Sequence, residues 1–373
     1  MTLLVNRTVP AGKPSVHVLV VAVGKYPHLE GGTGTLFPKH ERMGQLTSPP
    51  NSARLVADWL RSDFVAYDAQ LGSVDVLCSG DQQFLNDEKE LVSADPATLE
   101  HLRRSAERLY ELGNHTPNDT LVFYFSGHGV SSGEVHSLLT EGFGAHQRDP
   151  FSDAVDAGAF IDGMRTCRAL NQLFLFDACR SVPVDYLLEL GAFRGVPLIS
   201  GAQHANLGIS RQVSLWASEL GLPAYGRIGA ATIFAEALVA AMHGSAARRD
   251  RNTFSWVIET ASLQEGINTF IRRAVGEYRQ FVTPGRMTMG FPFHVLAGEP
   301  VVPVEIVCHP PGRALGLALA CDPGAHRYAS SPWALELPHG QYTITATEPA
   351  TGALRSSQPC LAVPPSALVM LEV

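Results

Sequence analysis

Two short stretches of the chain end in side chains able to do chemistry together. Phe123-Tyr124-Phe125-Ser126-Gly127-His128-Gly129 closes an apolar run with a histidine between glycines, and Leu173-Phe174-Leu175-Phe176-Asp177-Ala178-Cys179-Arg180-Ser181 closes a second with a cysteine. A thiol with the ordinary pKa of about 8.5 is mostly protonated at neutral pH and attacks a carbonyl slowly until a base takes its proton. An imidazole within reach takes that proton and later returns it to a leaving amine. Cys179 therefore reads as a nucleophile and His128 as its general acid/base.

Both residues must be positioned by the runs that precede them. Leu121 to Phe125 and Leu173 to Phe176 are apolar on both faces, as are central strands of a parallel sheet covered by helices. Open sheets of that kind gather their chemistry at the carboxyl ends of strands, which is where His128 and Cys179 fall. The surrounding chain alternates strand and helix. Strands are predicted at Val16 to Val23, Val74 to Cys78, Val196 to Ser200 and Phe291 to Leu296. Helices are predicted from Pro50 through Phe64, from an Asp95-Pro96 start to Gly113, and over Ser152 to Cys167, Thr232 to His243 and Ser255 to Tyr278. Pro27 to Pro49 reads as a loop too broken to enter the core, Ser131 to Gly144 as a hairpin or loop, and Gln203 to Gly229 as a long irregular segment of functional character. From Val301 the pattern changes to alternating strands (Val304, Ile306, Cys308; Leu315, Leu317, Leu319; Tyr342, Ile344, Ala346; Val369, Leu371, Val373) separated by prolines and glycines. The expected organisation is an α/β domain over 1–300 and a small all-β sandwich over 301–373, resembling transthyretin-like or immunoglobulin-like modules.

The two tips together resemble those of the caspase-like cysteine peptidases, the clan of caspases, metacaspases and their bacterial relatives. The caspase pattern Q-A-C-[RQG]-G carries its histidine about 50 residues upstream. Here Ala178, Cys179 and Arg180 match, and His128 precedes Cys179 by 51 positions. Asp177 and Ser181 depart from that pattern in the direction of metacaspases and many bacterial members, which carry an aspartate before the Ala-Cys pair. The resemblance implies a three-layer α/β/α domain with a mainly parallel sheet, covering residues 16 to 297. It also implies an oxyanion hole from the backbone amides of Gly129 and Cys179, where a glycine leaves room for the substrate backbone. By the same resemblance Asp177 and Ser126 line the primary pocket and favour a guanidinium or ammonium, so the implied activity is cleavage of proteins after arginine or lysine. Ser52, in Asn51-Ser52, stands where metacaspases usually have a second acid. Arg211 and Arg227 are candidate sites of self-processing or of cutting by an upstream protease, and bacterial members of the clan are associated with defence or programmed death. The alternative is a catalytically silent caspase-like scaffold that recruits partners. A serine hydrolase is disfavoured because no G-x-S-x-G elbow occurs.

Composition narrows the rest. With 28 basic and 36 acidic side chains, a formal net charge of −8, the chain lacks an electrostatic footprint for nucleic acid. The stretch Val16 to Val23, the most apolar near the start, is too short at eight residues to cross a bilayer and reads as a strand rather than an export signal. A cytoplasmic protein with no membrane contact follows, its six cysteines reduced thiols. Cys78, Cys167, Cys308, Cys321 and Cys360 read as packing residues. No CxxC pair marks a zinc site, and Asp149, Asp153, Asp156 and Asp162 lack ligand-loop spacing, so they read as a solvated helix face. No metal or other cofactor is expected.

Overall fold

A computed structural model describes the chain except for residues 1, 11, 134, 181–193, 200–209, 277–279, 315, 325, 329 and 330. Its main sheet has seven strands: β1 Thr2–Asn6, β2 Ser15–Val23, β3 Gln70–Ser79, β4 Thr120–Gly127, β5 Asn171–Ala178, β6 Arg211–Trp216 and β7 Thr283–Met287. They lie in the order β1-β3-β2-β4-β5-β6-β7, the middle five parallel and the two outer ones antiparallel to their neighbours. Every residue of β2 and β4 is buried, as covering on both faces requires.

Alternate side chains of these strands enter two cores. Val18 and Val20 of β2, Tyr124 of β4 and Leu173 and Leu175 of β5 pack with helices α1 (Ser48–Ser62), α4 (Ile233–Ala240) and α5 (Leu263–Val275). Leu19, Val21, Phe123, Phe125, Phe174 and Phe176 pack with α2 (Leu99–Leu112) and α3 (Ala157–Met164). The result is a three-layer α/β/α body. Helix α1 starts at Ser48, two residues before Pro50, because Pro49 and Pro50 both occupy its first turn, where a missing N–H costs nothing. Helix α2 is capped by the Thr98 hydroxyl, which accepts the His101 N–H at 3.3 Å, rather than by Asp95.

Several expectations are corrected. The predicted helix over 152–167 is a 3-10 turn at Pro150–Asp153, a short strand at Ala154–Asp156 and only then α3. Asp156 is not on a solvated face: it is buried and caps α3, accepting the Ala159 N–H at 2.9 Å. The short strand pairs with a hairpin of Gly129–Ser132 and Val135–Leu139, as the hairpin reading of 131–144 anticipates. Val196 gives only an isolated bridge to Val155; the fifth parallel strand is β6, whose Gln212 and Ser214 disguised it as loop. Gln212 is fully buried because its amide donates to Gln172 Oε1 at 2.9 Å and to the Ile161 carbonyl at 2.8 Å. The irregular segment expected over 203–229 begins outside the described residues and is then interrupted by β6. The helix expected from Ser255 begins at Leu263; Trp256–Glu259 is a strand, paired with Ala247–Arg249 and with Pro292–Val295. The loop after β2 does enter the core, through Leu29 and Phe37, each 1% exposed.

Beyond residue 300, strands pair only with one another among the described residues. Trp333–Pro338, Val301–His309 and Ala367–Glu372 form one sheet; His326–Tyr328, Ala318–Asp322, Gly340–Thr347 and Leu354–Ala362 form the other. Val304, Ile306, Leu319, Ile344 and Val369 fill a core between them. No helix among the described residues is long and apolar enough to cross a membrane, and no three His, Cys, Asp or Glu side chains among them are placed to hold a metal ion.

Candidate active site

The pairing of β4 with β5 fixes the site. Ser126 lies opposite Asp177 and Gly127 opposite Ala178, so the next residues, His128 and Cys179, leave adjacent strands at the same level. The two tips approach closely enough that a Cβ at position 129 would stand 2.7 Å from the Cys179 carbonyl oxygen, which only glycine avoids. The hairpin after His128 continues this contact, the Leu139 N–H donating to the His128 carbonyl at 3.0 Å.

His128 is held from three sides. Its Nε2 lies 2.8 Å from the Gly44 carbonyl, which can only accept, so Nε2 carries the hydrogen and Nδ1 the lone pair in the neutral ring. Its backbone N–H donates to the Tyr26 hydroxyl at 2.8 Å, and the two rings pack with centroids 4.8 Å apart. Burial pushes the His128 imidazolium down to about 4, against a small opposing pull from Gly44, so the ring rests neutral. Gly44 is fixed in turn by Gln45, whose side chain exchanges hydrogen bonds with the Tyr26 backbone at 2.9 Å each way. Tyr26→Phe is expected to lower the unfolding free energy by about 1–3 kcal/mol in urea titrations, because it strands the His128 N–H; unchanged stability would dissociate Tyr26 from the histidine.

Cys179, half-buried, does not hydrogen-bond to His128 in this structure. Its Sγ receives the Ala224 N–H at 3.3 Å and lies 3.7 Å from the Ala224 carbonyl. Burial raises the thiol pKa and the nearby Asp177 carboxylate adds to this, against the Ala224 hydrogen bond. Burial thus favours the neutral form of both the thiol and the imidazole. A strap of 221–229 lies over it: the Arg180 N–H donates to the Leu222 carbonyl at 3.3 Å, the Gly221 N–H to the Arg180 carbonyl at 2.8 Å, and Ser48 Oγ to the Arg227 carbonyl at 2.8 Å. Arg180 is pinned by Thr283 at 3.2 Å, His136 at 3.0 Å and the face of Trp216 at 5.1 Å.

Asp177 lies beneath, 3% exposed. Its Oδ2 accepts three hydroxyls, from Thr232 at 2.5 Å, Tyr124 at 2.8 Å and Ser126 at 3.0 Å, while Oδ1 is buried with no partner among the described residues. Burial raises the carboxyl pKa to about 6, against the lowering effect of the three hydroxyls. Ser52 joins this cluster one step removed: its Oγ accepts the Thr232 N–H at 2.9 Å and lies 3.2 Å from the Thr232 hydroxyl. Asp177, Ser126 and Ser52 thus share one polar cluster. Tyr124 and Thr232 complete it and were not anticipated; one looks like any strand aromatic and the other like a helix cap. Arg227 lies in the strap, exposed and ion-paired with Glu236 at 2.8 Å. Arg211 does not lie in a loop: it begins β6, its N–H donating to the Leu170 carbonyl at 2.6 Å.

Residues 16–261 match the family model described as the caspase domain. An uncharacterized protein, y4kE, from Sinorhizobium fredii is 23% identical over 299 residues, covering 76% of this chain and 84% of its own. The crystal structure of protein GSU0716 from Geobacter sulfurreducens aligns over 73% of this chain and 93% of that one, with a TM-score of 0.43 and 11% identity.

Proposed function

The chain belongs to the caspase-domain family, and from that footing we propose that it is a cysteine endopeptidase carrying out limited proteolysis after arginine or lysine. The observation that supports this reading is the β4–β5 register, which brings a cysteine and a carbonyl-oriented histidine to the same sheet end. As a peptide displaces Ala224, Nδ1 of His128 takes the thiol proton and Sγ attacks the scissile carbonyl. The developing oxyanion lies against the amides of Gly129 and Cys179. The imidazolium then gives its proton to the leaving amine, and water, deprotonated by the same ring, hydrolyses the thioester. Asp177, with one oxygen unpaired, would meet the charged end of the P1 side chain. The chain from 301 is an accessory module in this reading, without a part in the chemistry.

An arginine-ending chloromethyl ketone tests the proposal. Peptide mapping should place one adduct on Cys179, and failure of an arginine-hydrolysing preparation to label there would overturn it. A second reading, a silent scaffold, has one observation in its favour: the Ala224 backbone occupies the thiol. That reading calls for neither labelling nor hydrolysis.

Self-processing belongs at Arg227, which is exposed, rather than at Arg211, whose peptide lies in the sheet. Intact mass recorded during activation should show a cut after Arg227 that Arg227→Gln abolishes. Full activity from an uncut chain would remove processing as a requirement.

A further inference from the structure

At the other end of the sheet, where β2 and β4 begin, lies a cavity of about 240 Å³. Its floor is polar and buried: Ser15, His17 and Ser73 are each 3% exposed and Asp119 is fully buried. The hydrogen bonds there run in one direction. Asp119 Oδ1 accepts the Ser15 N–H at 2.9 Å and its hydroxyl at 3.1 Å, and Oδ2 accepts the Thr116 N–H at 2.9 Å. Because the Ser15 hydrogen goes to Asp119, its Oγ accepts from His17 Nε2 at 2.8 Å, which leaves Nδ1 to accept the Ser73 hydroxyl at 2.8 Å. Burial keeps His17 neutral, down to about 4; Asp119 opposes this, while Arg108 and His115 reinforce it. The floor therefore offers oxygen lone pairs and no spare hydroxyl hydrogen.

The rim has the opposite character. Arg7, Lys13, Arg108 and His115 line it in a chain of net charge −8. Arg7 is paired with Asp87 at 3.1 Å and Arg108 touches the Asn6 side chain at 3.3 Å. The side chains of Lys13 and His115 have no hydrogen-bond partner among the described residues. With Arg7 offset by Asp87, the side chains of Lys13 and Arg108 leave the rim positive against Asp119, which already holds three hydrogen bonds.

We propose that this cavity binds a small hydroxylated phosphate monoester, its phosphate on Lys13 and Arg108 and its hydroxyls donating to Ser15 and Ser73 of the floor, which Asp119 holds in place from beneath. The volume lies below the roughly 300–1,000 Å³ of drug-sized sites, which suits a sugar phosphate and excludes a peptide. The site is remote from Cys179 and independent of the peptidase proposal.

Isothermal titration of the full chain at constant ionic strength tests it with ribose 5-phosphate, ribose and inorganic phosphate as probes. Ribose 5-phosphate should bind, ribose should give no heat, and inorganic phosphate should bind at least about tenfold more weakly than the ester. Lys13→Gln/Arg108→Gln should raise the ester's Kd by tenfold or more. Lys13→Gln alone, at an exposed side chain, should raise it severalfold and keeps the test readable if the double variant is destabilised. No binding of the ester, equal affinity for inorganic phosphate, or an ester Kd unmoved by Lys13→Gln would each overturn the proposal.

Discussion

Cys179→Ala is expected to cut kcat/KM on arginine-ending peptide reporters by about 10⁴-fold or more while leaving the protein folded. The side chain lost is small and half-buried, and among the described residues its hydrogen bonds go only to Ala224, so the melting temperature should move by a few degrees at most. His128→Ala should fall to nearly the same floor. Combining the two should cost little more, because a nucleophile and its base act as a unit. A multiplicative loss in the double variant, or hydrolysis surviving Cys179→Ala, would mean that the two residues do not share a proton. With burial favouring the neutral form of both groups, the proposed reaction would proceed by proton transfer on attack rather than from a standing thiolate–imidazolium pair.

The second large effect belongs to Asp177→Asn. Loss of the buried charge should lower kcat/KM for arginine-ending reporters by about 10²–10³-fold, the cost of leaving a buried cation without its partner, and should change cleavage after the neutral isostere citrulline by less than about tenfold. The stability of the free protein should move the other way. The folded carboxyl pKa, about 6, lies above its ordinary value of 3.8, so the folded state holds the proton more tightly and stability falls as pH rises through that window. The two-unit rise is worth about 3 kcal/mol; the asparagine amide inherits the unpaired Oδ1 position, which leaves a gain of about 1–2 kcal/mol at pH 7. Urea titration at pH 7 measures it. A variant less stable than its parent, or one that keeps its arginine preference, would sink the pocket assignment. In the parent, arginine cleavage should decline as pH drops through about 6, and that acid limb should vanish in the variant.

Side chains with distinctive chemistry at strand ends were readable from sequence; backbone contributions were not. The apolar runs before His128 and Cys179 marked two neighbouring parallel strands, while the antiparallel edges β1 and β7 carry no comparable run and went unread. The Gly44 carbonyl left no trace, because any residue has a carbonyl and only the path of the loop aims this one. That path depends on Leu29 and Phe37, two apolar side chains lost among glycines and prolines. Strand β6 escaped because Gln212 and Ser214 read as solvent-facing, yet Gln212 is paired with Gln172 across the sheet in a bond visible only after folding. Trp256–Glu259 was absorbed into the helical period of α5, since a four-residue strand is too short to establish its own.

Strand β7 carries a further consequence. It ends the sheet beyond β6 as a five-residue antiparallel piece containing Pro284 and Gly285, with a break in register between Val213 and Leu215 of its neighbour. A proline has no amide to offer and the interrupted ladder presents no regular row of donors, so this margin is a poor template for another chain. Two copies joined there into one continuous sheet would have to shed β7 first; each molecule carries its own edge guard.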